Sequence, residues 1–285
     1  MFFLLLACQR PEVSQPWQID RLRILAVAAE PPEPRPGDTV TFTSLVVSPD
    51  DPVAAVLWLS CGTGGSFGCD TSVLQDLDFE NPETIDPQTL LDAGLIGAEP
   101  YWAPAWEVPT DFLDALTEDE KLEGMSAMIN LTAIPESAAT AEVDDLNLVE
   151  SAFKRIPVSL APTPNHNPTV TGVQVDELPI PEAGARIYLE PNQTYSLTIQ
   201  LSDDSIEDYT YRNSGGEDET RTEEPYFTWY AQEGSFDQTA TLWPYTTVAF
   251  TTPETPTITD PSIWVVVRDR RGGMSWYTLP VSYLP

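Results

Sequence analysis

Apolar and polar positions alternate along most of this chain, in short runs separated by turns rich in proline and glycine. In residues 19–28, Leu22, Ile24, Ala26 and Ala28 share one parity while Leu25 and Val27 fill the second face. Over 39–47, Val40, Phe42 and Val46 fall on one side, and 53–60 is a nearly unbroken apolar run that places Trp58 on an inner strand. The same spacing predicts strands over 125–134 and 153–160. Between the first two strands, Glu30-Pro-Pro-Glu-Pro-Arg-Pro-Gly37 is a stiff turn, because proline fixes φ and withdraws a ladder donor. Short strands punctuated in this way predict a β-sandwich.

Residues 70–123 break the rhythm. Prolines 82, 87, 100, 104 and 109 segment them, and no basic residue occurs between Arg35 and Lys121. Residues 110–124 carry Phe112, Leu113, Leu116 and Leu122 on a helical stripe. Thr117 with Glu120 forms the spacing of a capping box, and Gly124 suits a C-terminal stop. The stretch reads as a partly helical, acidic insertion decorating the first sandwich. With three prolines, 161–168 (Ala-Pro-Thr-Pro-Asn-His-Asn-Pro) predicts a linker. Strands follow over 169–175, 186–189, 195–201, 226–230, 264–268 and 275–283, with tight turns at 190–193 and 271–273. The expected architecture is therefore mainly β. A first sandwich spans 17–161 with an insertion about 70–123, a linker spans 162–168, and a second sandwich spans 169–285.

Composition narrows the function classes. The chain has 285 residues with 45 Asp+Glu against 13 Lys+Arg, a formal charge of −32, which excludes binding to the phosphate backbone of nucleic acids. Disorder does not follow from that charge, since 41% hydrophobic and 10% aromatic residues can fill cores.

Phe2-Phe3-Leu4-Leu5-Leu6-Ala7 is too short to span a bilayer, for which a helix needs ~20 residues. It ends in Leu5-Leu6-Ala7-Cys8, which resembles the lipobox of bacterial lipoprotein signal peptides, although no Lys or Arg precedes the run. The resemblance implies removal of residues 1–7, lipidation of Cys8, and a tether over 8–16. Acyl chains contribute ~0.8 kcal/mol per buried CH₂, so two or three of them anchor stably. Gln9, where an Asp would favour retention in the inner membrane, points to the outer membrane, periplasmic or surface-exposed. Cys61 and Cys69 then remain, joined by a small glycine-rich loop, and in an oxidising compartment they read as one disulfide.

Trp229, the turn at Gly234, and Ile263-Trp-Val-Val-Val-Arg-Asp269-Arg-Arg-Gly-Gly273 before a last strand resemble polycystic-kidney-disease-type and related bacterial immunoglobulin-like domains. The opening from Trp17 to Asp38 resembles uncharacterised lipoproteins of myxobacteria-like bacteria. These resemblances imply two tandem immunoglobulin-like sandwiches with a Trp on an inner strand and a late hairpin, and they imply no catalytic residue.

Four groups of residues bear on chemistry. Gly64-Gly65-Ser66-Phe67-Gly68 with His166 downstream matches the nucleophile-elbow pattern, but the alternating strand and helix context of that elbow is missing. His166 itself reads as a solvated linker residue with no acid placed beside it. Asp203, Asp204, Glu207 and Asp208 offer the oxygen ligands that calcium takes from loops. Tyr101, Trp102, Trp106, Trp243 and Tyr245 beside prolines offer faces on which a sugar stacks. The expectation is a non-enzymatic envelope lipoprotein acting as a structural or protein-binding module. Its membrane contact would be through lipid alone, it would have an envelope protein or glycan partner, and no nucleic acid would bind. The alternative is an adhesive module that binds calcium or carbohydrate.

Overall fold

The computed structural model describes residues 15–61, 87–140, 148–180, 184–212 and 217–284. The first unit runs β1 (Arg23–Glu30), β2 (Thr39–Val47), β3 (Val53–Ser60), α1 (Pro87–Asp92), β4 (Leu95–Glu99), β5 (Ala105–Glu107), α2 (Glu118–Glu123), β6 (Met125–Pro135), α3 (Glu136–Thr140) and β7 (Glu150–Val158). Its antiparallel sheets have the orders β1-β2-β5 and β4-β3-β6-β7. That is the immunoglobulin arrangement, with strands A, B and E facing C′, C, F and G. Trp58, on strand C, is fully buried and stacks on Phe42 at 5.5 Å between ring centroids.

The second unit comprises β8 (Val170–Val175), β9 (Leu178–Ile180), β10 (Ile187–Leu189), β11 (Thr194–Leu201), β12 (Asp208–Arg212), β13 (Asp218–Thr222), β14 (Tyr226–Ala231), β15 (Ser235–Phe236), β16 (Ala240–Leu242), β17 (Thr247–Thr251), β18 (Ser262–Arg268) and β19 (Met274–Tyr283). Its sheets are β10-β19-β18-β14-β16 and β15-β17-β11-β8-β9. In immunoglobulin terms β8, β11 and β17 are A, B and E. The facing C′, C, F and G are β16, β14, β18 and β19, with β10 pairing parallel to G. Trp229 again lies fully buried on strand C. The two tandem immunoglobulin-like sandwiches expected from the strand rhythm are thus present in the chain's own sheets.

Three local readings change. Residues 95–107 do not decorate the first sandwich but complete it, since β4 pairs with β3 and β5 with β2, bringing Ile96 and Trp106 into the core. The helix expected over 110–124 is confined to 118–123. Thr117 forms the capping box with Glu120 in extended backbone geometry, so it starts the helix rather than continuing one. Phe112 and Leu113 reach the core instead from consecutive turns, in which Phe112 N–H donates to Pro109 and Leu116 N–H to Leu113. Gly124 ends the helix as expected. At φ +75° a Cβ there would stand 2.1 Å from the Val158 carbonyl oxygen. Finally, β12 and β13, which lie between the expected strands, pair in a hairpin outside both sandwiches.

β1 explains its own two-faced pattern. A bulge between Ile24 and Ala26 switches its parity. Val27 and Ala29 therefore face the first core, and Leu25 and Ala26 face outward against Trp264 and Val266 of the second sandwich. Ile19 joins this second contact, and Trp17 packs edge-on against Phe236 at 5.6 Å. The chain thus touches the second sandwich, through a backbone bond from Ile19 N–H to the Ala231 carbonyl, before it builds the first.

Candidate functional site at the domain junction

The F–G turn of the second sandwich, residues 269–273, is the centre of the junction. Asp269 is buried, and its Oδ1 accepts hydrogen bonds from the backbone N–H groups of Arg271 (2.7 Å), Gly272 (3.0 Å) and Gly273 (2.9 Å). Gly273 is obligatory for this close fold, since a Cβ would lie 2.0 Å from Asp269 Oδ2 and 2.8 Å from the His166 carbonyl oxygen. Burial nevertheless pushes the Asp269 carboxyl above the usual range, against the pull of its hydrogen bonds.

The turn aims Arg271 into three carboxylates. Its guanidinium bonds Glu223 at 3.0 Å, Glu207 at 3.1 Å and Glu33 at 3.3 Å, and lies over the Tyr209 ring. Glu33 belongs to the proline-rich A–B turn of the first sandwich, so this cation ties the two units together. One cation does not neutralise three buried or half-buried acids. Burial, reinforced by Asp269, lifts Glu223 to a pKa of about 7, even with Arg271 and the Glu207 backbone N–H bonded to it. Lys154, on β7 of the first sandwich, donates to the Gly272 carbonyl, and burial lowers its pKa to about 8.

The segment read as a linker is part of this structure. Asn165 is 1% exposed, with its N–H on Glu33 (2.7 Å) and its amide on Asp269 Oδ2 (2.7 Å). Asn167 donates to the Ala29 carbonyl of β1 and accepts from the Met274 N–H of β19, so one side chain staples the two sandwiches. Arg268 adds a bond to the Leu25 carbonyl at 2.9 Å. His166 remains exposed, as expected, but it is not remote from acids, because Nδ1 lies 2.6 Å from Glu207. Ser66, its partner in the hydrolase pattern, lies outside the described residues.

Beside this cluster a cleft of about 360 Å³ opens between α2, residues 161–163 and the β12–β13 hairpin. Tyr209, Tyr211, Leu122 and Pro162 give it apolar faces, and Asp119, Glu123 and Asp218 stand at its rim. Arg212 crosses it from Asp218 (2.9 Å) to Asp119 on α2 (3.7 Å), a second ionic tie between the units after Arg271–Glu33.

The four carboxylates singled out for calcium do not gather. Asp203 and Asp204 lie in a 3-10 turn with Asp204 accepting from Ser202, Glu207 is held by Arg271, and Asp208 accepts from Thr222. Among the described residues no group of three or more His, Cys, Asp or Glu is placed to hold a metal ion. Of the aromatics, Trp106 is a core residue and Trp243 packs on the second core, leaving Tyr101, Trp102 and Tyr245 exposed. Cys61 directly follows β3, its N–H on the Met128 carbonyl, while Cys8 and Cys69 lie outside the described residues. The junction was not visible in the sequence as a site. The one local signal was the Asp269-x-x-Gly-Gly turn, and its partners come from positions 33, 165, 207 and 223.

No protein-family model matches the chain, and no curated protein matches it. Among solved structures, the N-terminal Ig1-2 module of the Drosophila receptor protein tyrosine phosphatase DLAR is 12% identical, with 93% of this chain and 100% of that one covered and a TM-score of 0.27. Murine CEACAM1b is 9% identical over 91% and 100%, with a TM-score of 0.24. The D00-D0 domain of intimin is 9% identical over 91% and 100%, with a TM-score of 0.26. Scores this low carry no argument, and the sandwich assignment rests on the sheet orders above.

Proposed function

We propose that this chain is a non-enzymatic, lipid-anchored envelope module, in which two sandwiches held as one stiff body present a protein-binding surface. The junction carries the reading. Domains in one chain move relative to each other unless their interface is large and apolar. Here an apolar contact around Trp264 and Leu25 is continuous with the Arg271 cluster and the Asn167 staple. The cleft beside it, apolar at Leu122 and Tyr211 and acidic at the rim, fits a partner segment that carries Lys or Arg among apolar side chains. A disulfide between Cys61 and Cys69 belongs to the same reading, as does export to the outer membrane. With Trp17 held on the second sandwich, residues 9–16 reach at most roughly 30 Å, so a lipid on Cys8 keeps that sandwich close to the bilayer.

The test is Cys8→Ser in the native host. The variant leaves the membrane fraction and loses labelling by a radioactive fatty acid. A variant that stays membrane-bound, or wild type that takes up no label, overturns the anchored reading. A photo-crosslinking residue at Tyr211 captures an envelope protein, and the adduct disappears on Glu123→Lys. An unchanged adduct in that variant removes the cleft from the binding surface.

A further inference from the structure

The second sandwich has an opening that the junction does not use. Strand C′ (β16) pairs with strand C through only three residues, and the chain then crosses to strand E (β17) through Trp243-Pro244-Tyr245-Thr246. A groove of about 480 Å³ lies along this crossing, within the ~300–1,000 Å³ of small-molecule sites. Its walls are fixed. Trp243 packs on the core and its N–H donates to the Pro225 carbonyl, Thr246 accepts from the Ile199 N–H, and Thr247 Oγ1 pairs with Thr198 Oγ1 at 2.8 Å.

Two features point to what it takes. First, every lining residue is uncharged: Gln238, Thr241, Thr246 and Thr247 supply amide and hydroxyl groups, and Leu242, Pro244 and Tyr245 supply apolar surface beside Ala240. Asp237, the nearest acid in sequence, is turned to the N–H groups of Gln238 and Ala249. Such neutrality is notable in a chain with a formal charge of −32. Second, Thr241 stands opposite Phe227, a fully buried core residue, so both side chains lie on the inner face of the sheet. Thr241 is 8% exposed and its Oγ1 has no hydrogen-bond partner. A buried hydroxyl left without a partner is destabilising, and native structures keep such groups rare. At the rim, Tyr245 is 75% exposed.

We propose that this groove binds a neutral, hydroxyl-rich ligand, a segment of uncharged glycan. The sugar hydroxyls meet Gln238 and Thr246, its apolar ring face lies on Tyr245, and rotation of Thr241 about χ1 brings its hydroxyl, enclosed in this structure, to the ligand. An anion would find no cationic group there and would be repelled by the field of the whole chain. A cation would find no carboxylate lining the groove, and a wholly apolar ligand would leave the Thr241 hydroxyl unpaired.

The experiment titrates the full chain with maltohexaose, cellohexaose and chitohexaose, with a polygalacturonate oligomer as the charged control. Binding is read by saturation-transfer NMR and by tyrosine fluorescence. At least one neutral oligosaccharide binds and the polyanion does not. Tyr245→Ala weakens binding tenfold or more, and Thr241→Val weakens it about threefold to tenfold, with no substantial loss of melting temperature in either. Absence of saturation transfer from all three neutral probes overturns the proposal, as does binding that is unchanged in Tyr245→Ala or stronger for the polyanion. None of these results depends on the lipid at Cys8 or on the junction cleft.

Discussion

At the junction, Arg271 has three carboxylate partners and Asp269 accepts from three backbone amides. In the C′–E groove of the same sandwich no lining residue is charged and the Thr241 hydroxyl has no partner. Both regions lie where strands leave the sheets, yet one matches its charged groups to each other, with Asn165 Oδ1 left without a partner, whereas the other is lined by uncharged amide, hydroxyl and apolar groups. Donors and acceptors already spent on each other hold parts together, whereas those held rigidly and left unmatched are free to bind. The first sandwich sharpens the point. It too places a Pro-Tyr pair after strand C′, with Tyr101 91% exposed, but Trp102 and Pro104 fold back on β4 there. A Cβ at Gly97 would lie 2.5 Å from Pro104 Cα, so the corresponding space is filled by the chain itself.

The largest effect should come from Gly273→Ala. The new methyl group meets a buried carboxylate and a backbone oxygen, and relief requires the Asp269 turn to open. The expected loss is about 3 kcal/mol, roughly 5–10 °C in melting temperature. A loss below about 1 kcal/mol by chemical denaturation would show that the turn is not what holds the units.

Next comes pH. Glu223 has a higher proton affinity folded, at a pKa of about 7, than its ordinary value of 4.5. Its contribution to stability is therefore fully present below about 4.5 and is lost as pH rises through 7. Between pH 8 and 5.5 acidification should stabilise the protein, by at most about 1.4 kcal/mol per pH unit. Asp269, also raised by burial, acts in the same direction. Lys154 works in a higher window, since its folded pKa of about 8 lies below 10.5, and its contribution is lost as pH falls through 8. Glu223→Gln should flatten the profile between pH 5.5 and 7.5. Melts across that range decide the matter, and an unchanged slope in the variant would place the titrating group elsewhere.

The smallest effects belong to the groove. Tyr245→Ala removes an exposed ring and should change stability by no more than about 0.5 kcal/mol. Thr241→Val removes an unpartnered buried hydroxyl at nearly constant volume and should raise stability, by up to about 1 kcal/mol. A groove that gains stability as it loses affinity is the signature of a site kept for binding. A Thr241→Val variant that melts lower would mean that the hydroxyl has a structural partner.

Much of this was written locally. The two-residue period over 39–47 and the apolar run over 53–60 coincide with β2 and β3, because a strand is recognised from the pattern of its own neighbouring residues. Trp58 and Trp229 are the inner tryptophans that the strand pattern and the immunoglobulin-like resemblance implied, and the Thr117–Glu120 box forms as spelled, since its partners are three residues apart. What the sequence could not settle has partners far along the chain. Leu25 and Val27 showed that both faces of β1 were apolar, but only packing decided that one covers the first core and the other the second sandwich. Residues 161–168 have the composition of a free linker, and they became a staple because Asn165 and Asn167 meet groups 104 and 138 positions away. Residues 95–107 lack the length and alternation of obvious strands, yet they pair because β2 and β3 leave open edges that short segments can fill. Periodicity fixes which side of a strand is apolar, whereas the identity of what covers it is a property of the folded chain alone.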